Sequence, residues 1–199
     1  MTDPDGDNYG NVCIRGKFID IDITVGNDVN EIVLVEKKGI ARDFARSEDS
    51  RKNGLLMLVS SGVISKPLIN LTKYIWQEVN KRTNRNKPVV VAPDQNYNGL
   101  LSGFLLLSAG VNVVLVLGRP KTTEKFSLDL NKMKKLSKDS LKKLDNMIKD
   151  AVEKTDGNPT FDQFGEDIRH EVSVNVDQLC SSENPTTSKI ILDAIGRLR

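Results

Sequence analysis

The residues of this 199-residue chain that could do chemistry gather in one short stretch, Ala92 to Gly99, which reads APDQNYNG. Asp94 offers a carboxylate, and Asn96 and Asn98 offer amide donors for a phosphate or a ribose. Gly99 lets a backbone approach closely, because it has no Cβ. Ser102 follows with a hydroxyl. The next residues, LLSGFLLLSAG, predict a helix from Leu100, whose free amino-terminal N–H groups favour an anion. A second chemical position is Asp193 in KIILDAIG. Its carboxylate could accept from a ligand hydroxyl or act as a general acid/base. Both have a plainer reading. Asn and Gly are what an ordinary strand-to-helix turn uses, and Asp193 could cap the turn after it. The loop is neither GxGxxG nor a P-loop. No GxSxG is present, and the single histidine, His170, lies in a charged segment and reads as a surface residue. A structural zinc site needs four ligands. Two cysteines, Cys13 and Cys180, and one histidine do not supply them, so no metal is expected.

The flanking runs position this loop. PVVVA, from Pro88, and VNVVLVLG, from Val111, are continuous β-branched runs, which suit parallel strands covered on both faces. Strand, loop, buried helix and strand in succession make a βαβ unit. Ligands of open α/β sheets sit at the carboxyl ends of strands, where APDQNYNG falls. Ahead of it, ISKPLINLTKYIWQEVNKR repeats Leu68, Ile69, Leu71, Ile75, Trp76 and Val79 at helical spacing, with Ser65 as cap and Pro67 in the first turn. KFIDIDITV, from Lys17, alternates as a half-buried strand does, and could pair with NEIVLVEKKG across a polar turn. IARDFARSEDSRKN is a short helix or a linker. Asn131–Lys154 predicts an amphipathic helix with Met133, Leu136, Leu141, Leu144, Ile148 and Val152 as its stripe. Its eight Lys against four acidic residues read as a solvated face or as a surface for phosphate or RNA. EVSVNVDQL offers a short strand, and KIILDAIG a buried one that ends near Asp193.

The totals set bounds. The acidic, polar start, residues 1–16, reads as a flexible tail, and 17–199 as one domain. A net charge of +2 gives the whole molecule no strong field for nucleic acid. No apolar run reaches the ~18 residues of a membrane span. With no secretory signal in MTDPDGDNYG, the cysteines are expected to be reduced and the location cytoplasmic.

Four pieces in this order, GLLMLVSSGVISKPLINLTKYI, KPVVVAPDQNYNGLLSGFLLLSAGVNVVLVLG, KKLSKDSLKKLDNM and KIILDAIG, resemble the YjeF N-terminal domain family. That family includes the NAD(P)HX epimerases and the carboxyl-terminal domain of enhancers of mRNA decapping. The resemblance covers Gly54 to Gly196. It implies a Rossmann-like three-layer α/β/α sandwich with a mostly parallel sheet, often homodimeric. In the epimerases the glycine-rich loop binds a hydrated nicotinamide nucleotide, a catalytic aspartate matches Asp193, and potassium lies nearby. The chain departs from the family where function is concentrated. The loop has NYNG, Asn96 to Gly99, in place of NNGGDG. The helix written LMENAG in the family reads LMLVSSG, without its Glu and Asn. The family continues past the point matched by Arg199, so part of its sheet is expected to be absent, supplied otherwise, or carried by a longer chain of which this sequence is a fragment. These departures lead to the expectation of a non-catalytic, dimerising scaffold that uses no cofactor, with decapping-complex or RNA-granule proteins, and RNA, as partners. The alternative is an epimerase or another nucleotide-binding module. Leu68, Leu71, Ile75 and Trp76 are the expected dimer face, with Trp76 equally readable as a core residue.

Overall fold

The computed structural model describes residues 25–45, 48–92, 97–115, 134–135, 137–154 and 172–173, together with Leu192 and Gly196. Four parallel strands form the sheet: β1 (Glu31–Val35), β2 (Leu55–Val59), β3 (Val89–Ala92) and β4 (Val113–Leu115), in the spatial order β2-β1-β3-β4. The helices are α1 (Lys38–Ala45), α2 (Glu48–Asn53), α3 (Lys66–Thr83), α4 (Tyr97–Ser108) and α5 (Lys138–Lys154). A separate antiparallel pair joins β5 (Lys134–Lys135) to β6 (Val172–Ser173). This is the expected α/β sandwich, Rossmann-like and parallel.

Burial explains why the strands read as unbroken apolar runs. Ile32 and Leu34 of β1, Val89 and Val91 of β3, and Val113 and Leu115 of β4 belong to one core cluster. Leu71, Ile75 and Val79 of α3 pack into it, with Phe104 and Leu107 of α4 and Leu144 and Ile148 of α5. The alternate residues Val33, Val35, Val90 and Ala92 are equally buried, beneath the opposite face of the sheet. α1 lies against β1 and β2 and buries Ala41 and Phe44. A strand covered on both faces has no polar side to alternate with.

Local chemistry sets the helix ends. Ser65 caps α3 by accepting from the Leu68 N–H, with Pro67 in the first turn. Asn84, at φ 50°, closes the helix in the left-handed conformation, and Lys81 and Arg82 in its last turn suit the negative end of the dipole. α4 ends on Gly110, at φ 81°. There the Gly110 N–H donates to Leu107 O at 2.9 Å and the Val111 N–H to Leu106 O at 3.1 Å, a Schellman closure. Lys73 Nζ donates to Ala109 O at 2.7 Å and ties α3 to that end.

The structure corrects four expectations. NEIVLVEKKG does not form a hairpin with KFIDIDITV inside the sheet, because both edges of β1 are filled, by β2 on one side and β3 on the other. Residues 17–24 lie outside the described residues. LMLVSS, a helix by the family resemblance, contributes Leu56–Val59 to β2 instead. The helix expected from Asn131 starts at Lys138. Ser137 Oγ accepts from the Ser140 N–H at 3.1 Å and caps it there, while Lys134–Lys135 are extended against β6. In KIILDAIG, Leu192 is helical and not extended.

Candidate functional site

Val35, the last residue of β1, pairs with Ala92, the last of β3. From these neighbouring ends the chain leaves toward opposite faces, to α1 on one side and to α4 on the other. The sheet order reverses between β1 and β3, so this is the topological switch point, where doubly wound sheets open a crevice for ligands.

Two loops meet at this edge. Beyond β2, the Ser60 N–H donates to Val35 O and the Ser61 N–H to Glu36 O, each at 3.0 Å, so the ladder runs on past the strand. Ser61 is exposed at φ 53°, a conformation that costs a non-glycine residue about 1–2 kcal/mol. Gly62 follows at φ 110°. These two residues turn the chain so that Ile64 is buried and its N–H donates to Ser102 Oγ at 3.0 Å. Ser102 lies on α4 and is itself only 1% exposed. Its hydroxyl donates to Asn98 O at 3.0 Å, with Gly62 O at 3.5 Å as the weaker acceptor. One buried hydroxyl therefore fastens the β2–α3 loop to the first turns of α4.

The structure brings together three of the residues singled out for a ligand. Asn98 is exposed in the first turn of α4, and Gly99 and Ser102 are buried beneath it. α4 begins at Tyr97 and not at Leu100. Tyr97 packs half-buried against the core cluster, which fixes the entry of the helix. Asp94, Asn96 and Asp193 lie outside the described residues. Ser102 is engaged within the protein, so its lone pairs and proton hold loop to helix. Sequence reasoning missed Ser60, Ser61 and Gly62. Their signal was the small, neutral run after the apolar residues of β2, just ahead of the Ser65 cap.

Of the expected dimer face, two residues are buried and two are partly exposed. Leu71 and Ile75 are 7% and 4% exposed and belong to the core. Leu68 and Trp76 are half-buried against that same core. Trp76 Nε1 donates to Lys87 O at 2.7 Å. The apolar stripe of α3 faces the core, with Leu71 and Ile75 enclosed and Leu68 and Trp76 partly exposed.

The opposite, amino edge is closed by polar bonds. Lys87 and Glu31 form an ion pair whose carboxylate side chain is 1% exposed. Asn80 accepts from the Lys87 N–H at 2.9 Å and donates to Lys87 O at 3.2 Å. The cavity among Glu31, Trp76, Asn80 and Lys87 is about 10 Å³, room for about one water and far below a ligand pocket. Among the described residues no group of three or more His, Cys, Asp or Glu could hold a metal ion, and no helix is long and apolar enough to cross a membrane. No family model matches the chain, and no curated protein matches it significantly.

Proposed function

We propose that this chain is a non-catalytic, dimerising α/β scaffold module. The setting that goes with this reading is cytoplasmic mRNA decapping or a related RNA-granule assembly, with proteins of those assemblies, and RNA, as partners. The observation that carries the reading is the engagement of Ser102. At the carboxyl edge its hydroxyl serves as a strut between Ile64 and Asn98. The strand conformation of Leu56–Val59 supports it further, because the helix that carries Glu and Asn in the epimerase pattern has no counterpart there. The test is incubation of the folded chain with hydrated NADH while the epimer ratio is followed. The scaffold reading expects a ratio that relaxes at the rate of the buffer control; relaxation proportional to protein concentration would sink it.

A nucleotide-binding module without epimerase activity is the second reading, and the strand order favours it. A switch point between β1 and β3, with an exposed Asn98 in the first turn of α4, is where such folds take phosphate-bearing ligands. Saturable binding of the nucleotide without turnover would select it over the scaffold.

A further inference from the structure

We propose that Ser137 is a phosphorylation site, for a protein kinase whose acidic peptide groove selects lysines just ahead of the serine. The proposal stands apart from the scaffold reading and adds a covalent control to the start of α5.

Sequence and backbone single out this hydroxyl. Lys134 and Lys135 stand three and two residues before it, and Lys138 follows it. A run of one charge sign steers and selects a partner of the opposite sign. The backbone at Lys134–Lys135 is already extended, as β5, so a groove can take it without unwinding a helix. Its ladder to β6 is two residues long, and so short a pairing is weakly held. Ser137 itself is exposed and lies just ahead of α5. Other described hydroxyls lack one of these features. Ser61 and Ser65 are exposed but have no basic residue in the five positions before them. Thr83 follows Lys81 and Arg82, yet it is half-buried within α3 and donates to Val79 O at 2.8 Å. Ser140 is half-buried in the first turn of α5, directly after Asp139.

The step is a phosphoryl transfer. Ser137 Oγ attacks the γ-phosphorus of a nucleoside triphosphate held by the kinase. The Oγ–P bond forms as the bond to the β-phosphate oxygen breaks, the nucleoside diphosphate leaves, and the hydroxyl proton passes to a base of the kinase. The product suits its surroundings. Ser137 Oγ accepts from the Ser140 N–H at 3.1 Å, so the phosphate arrives at the positive end of the α5 dipole. The exposed charges of the first turns are Lys138, Lys142 and Lys143 against Asp139. A phosphate of about −1.5 to −2 charge cancels that positive excess and removes what an anionic partner would recognise there.

The test incubates the full, folded chain with magnesium ATP and a protein kinase that selects lysine or arginine two and three residues before its acceptor. Mass spectrometry of peptides locates the phosphate. The expected result is phosphate on Ser137 and its loss in Ser137→Ala, with calorimetry checking that the variant is folded. Lys134→Gln with Lys135→Gln keeps the serine and should lower kcat/KM at least about tenfold. Should Ser137→Ala unfold, this double variant carries the test. In the phosphorylated chain the Ser140 amide should exchange about two- to fivefold more slowly. Phosphate that enters only Ser140 or another residue overturns the proposal. So does a folded chain that takes up none, or one that accepts it at Ser137 only in urea, since the hydroxyl would then be covered. An unchanged kcat/KM in the double variant overturns the acidic groove.

Discussion

Replacing Ser102 by Ala tests the strut that joins the β2–α3 loop to α4 at the carboxyl edge. The change removes one oxygen from a site that is 1% exposed, so lost apolar packing is negligible. What it does remove is the acceptor of the Ile64 N–H, a donor buried with its residue and bonded at 3.0 Å. A buried donor left without a partner costs about 1–3 kcal/mol. Asn98 O loses a side-chain donor but lies within the hydrogen-bonded first turns of α4, so its loss is smaller. For a chain of this length each kcal/mol moves the thermal midpoint by about 2–4 °C. The midpoint should therefore fall by about 4–8 °C for a loss near 2 kcal/mol. Scanning calorimetry reads the midpoint. Amide exchange should show Ile64 opening faster while the buried residues Val89–Ala92 of β3 open only as global stability drops. An unchanged midpoint, with Ile64 as protected as before, would refute the strut.

Other perturbations follow from single contacts. Lys87→Met removes the cation that pairs with the buried Glu31 carboxylate and should cost about 3–5 kcal/mol in urea denaturation. Adding Glu31→Leu should recover most of that loss, and a double variant no better than the single one would show that the pair is not the cause. Gly54→Ala should lower stability by about 1–2 kcal/mol from its positive φ of 61° alone. An added Cβ would also lie 2.1 Å from Asp28 O, so a measured change below about 1 kcal/mol would contradict the turn geometry. Ser137→Ala removes the cap of α5 and should cost about 1 kcal/mol, read as a lower urea midpoint.

Parts of this fold are legible from residue types because one physical signal dominates them. VVVA and the VVL of Val113–Leu115 read as covered strands from their β-branched runs, and Gly110 and the Ser65–Pro67 pair mark helix ends by backbone chemistry that admits few alternatives. Elsewhere the signal is degenerate. LLMLVSS is apolar without β-branching until Val59, and a short apolar run does not distinguish strand from helix. Met133 and Leu136 extend the stripe of α5 by spacing, yet Ser137 captures the Ser140 N–H and starts the helix later. Alternation in IDIDITV identifies a strand pattern but carries no information about its partner, and β1 had its neighbours filled from elsewhere in the chain. At the candidate site, Asn98 and Gly99 read as loop residues ahead of a helix from Leu100, yet they form the first turn of α4. The role of Ser102 was not readable, because its partner Ile64 lies 38 residues away in sequence.

The central claim, a scaffold without the epimerase reaction, is tested most directly by an amide-resolved NMR titration of the folded chain with hydrated NADH. The epimer ratio would be followed in the same tube. The account predicts no saturable shift at Tyr97–Gly103 or Ser60–Ile64, and an epimer ratio that follows the protein-free control. Saturable shifts confined to those two segments, with a ratio that relaxes faster as protein is added, would contradict it.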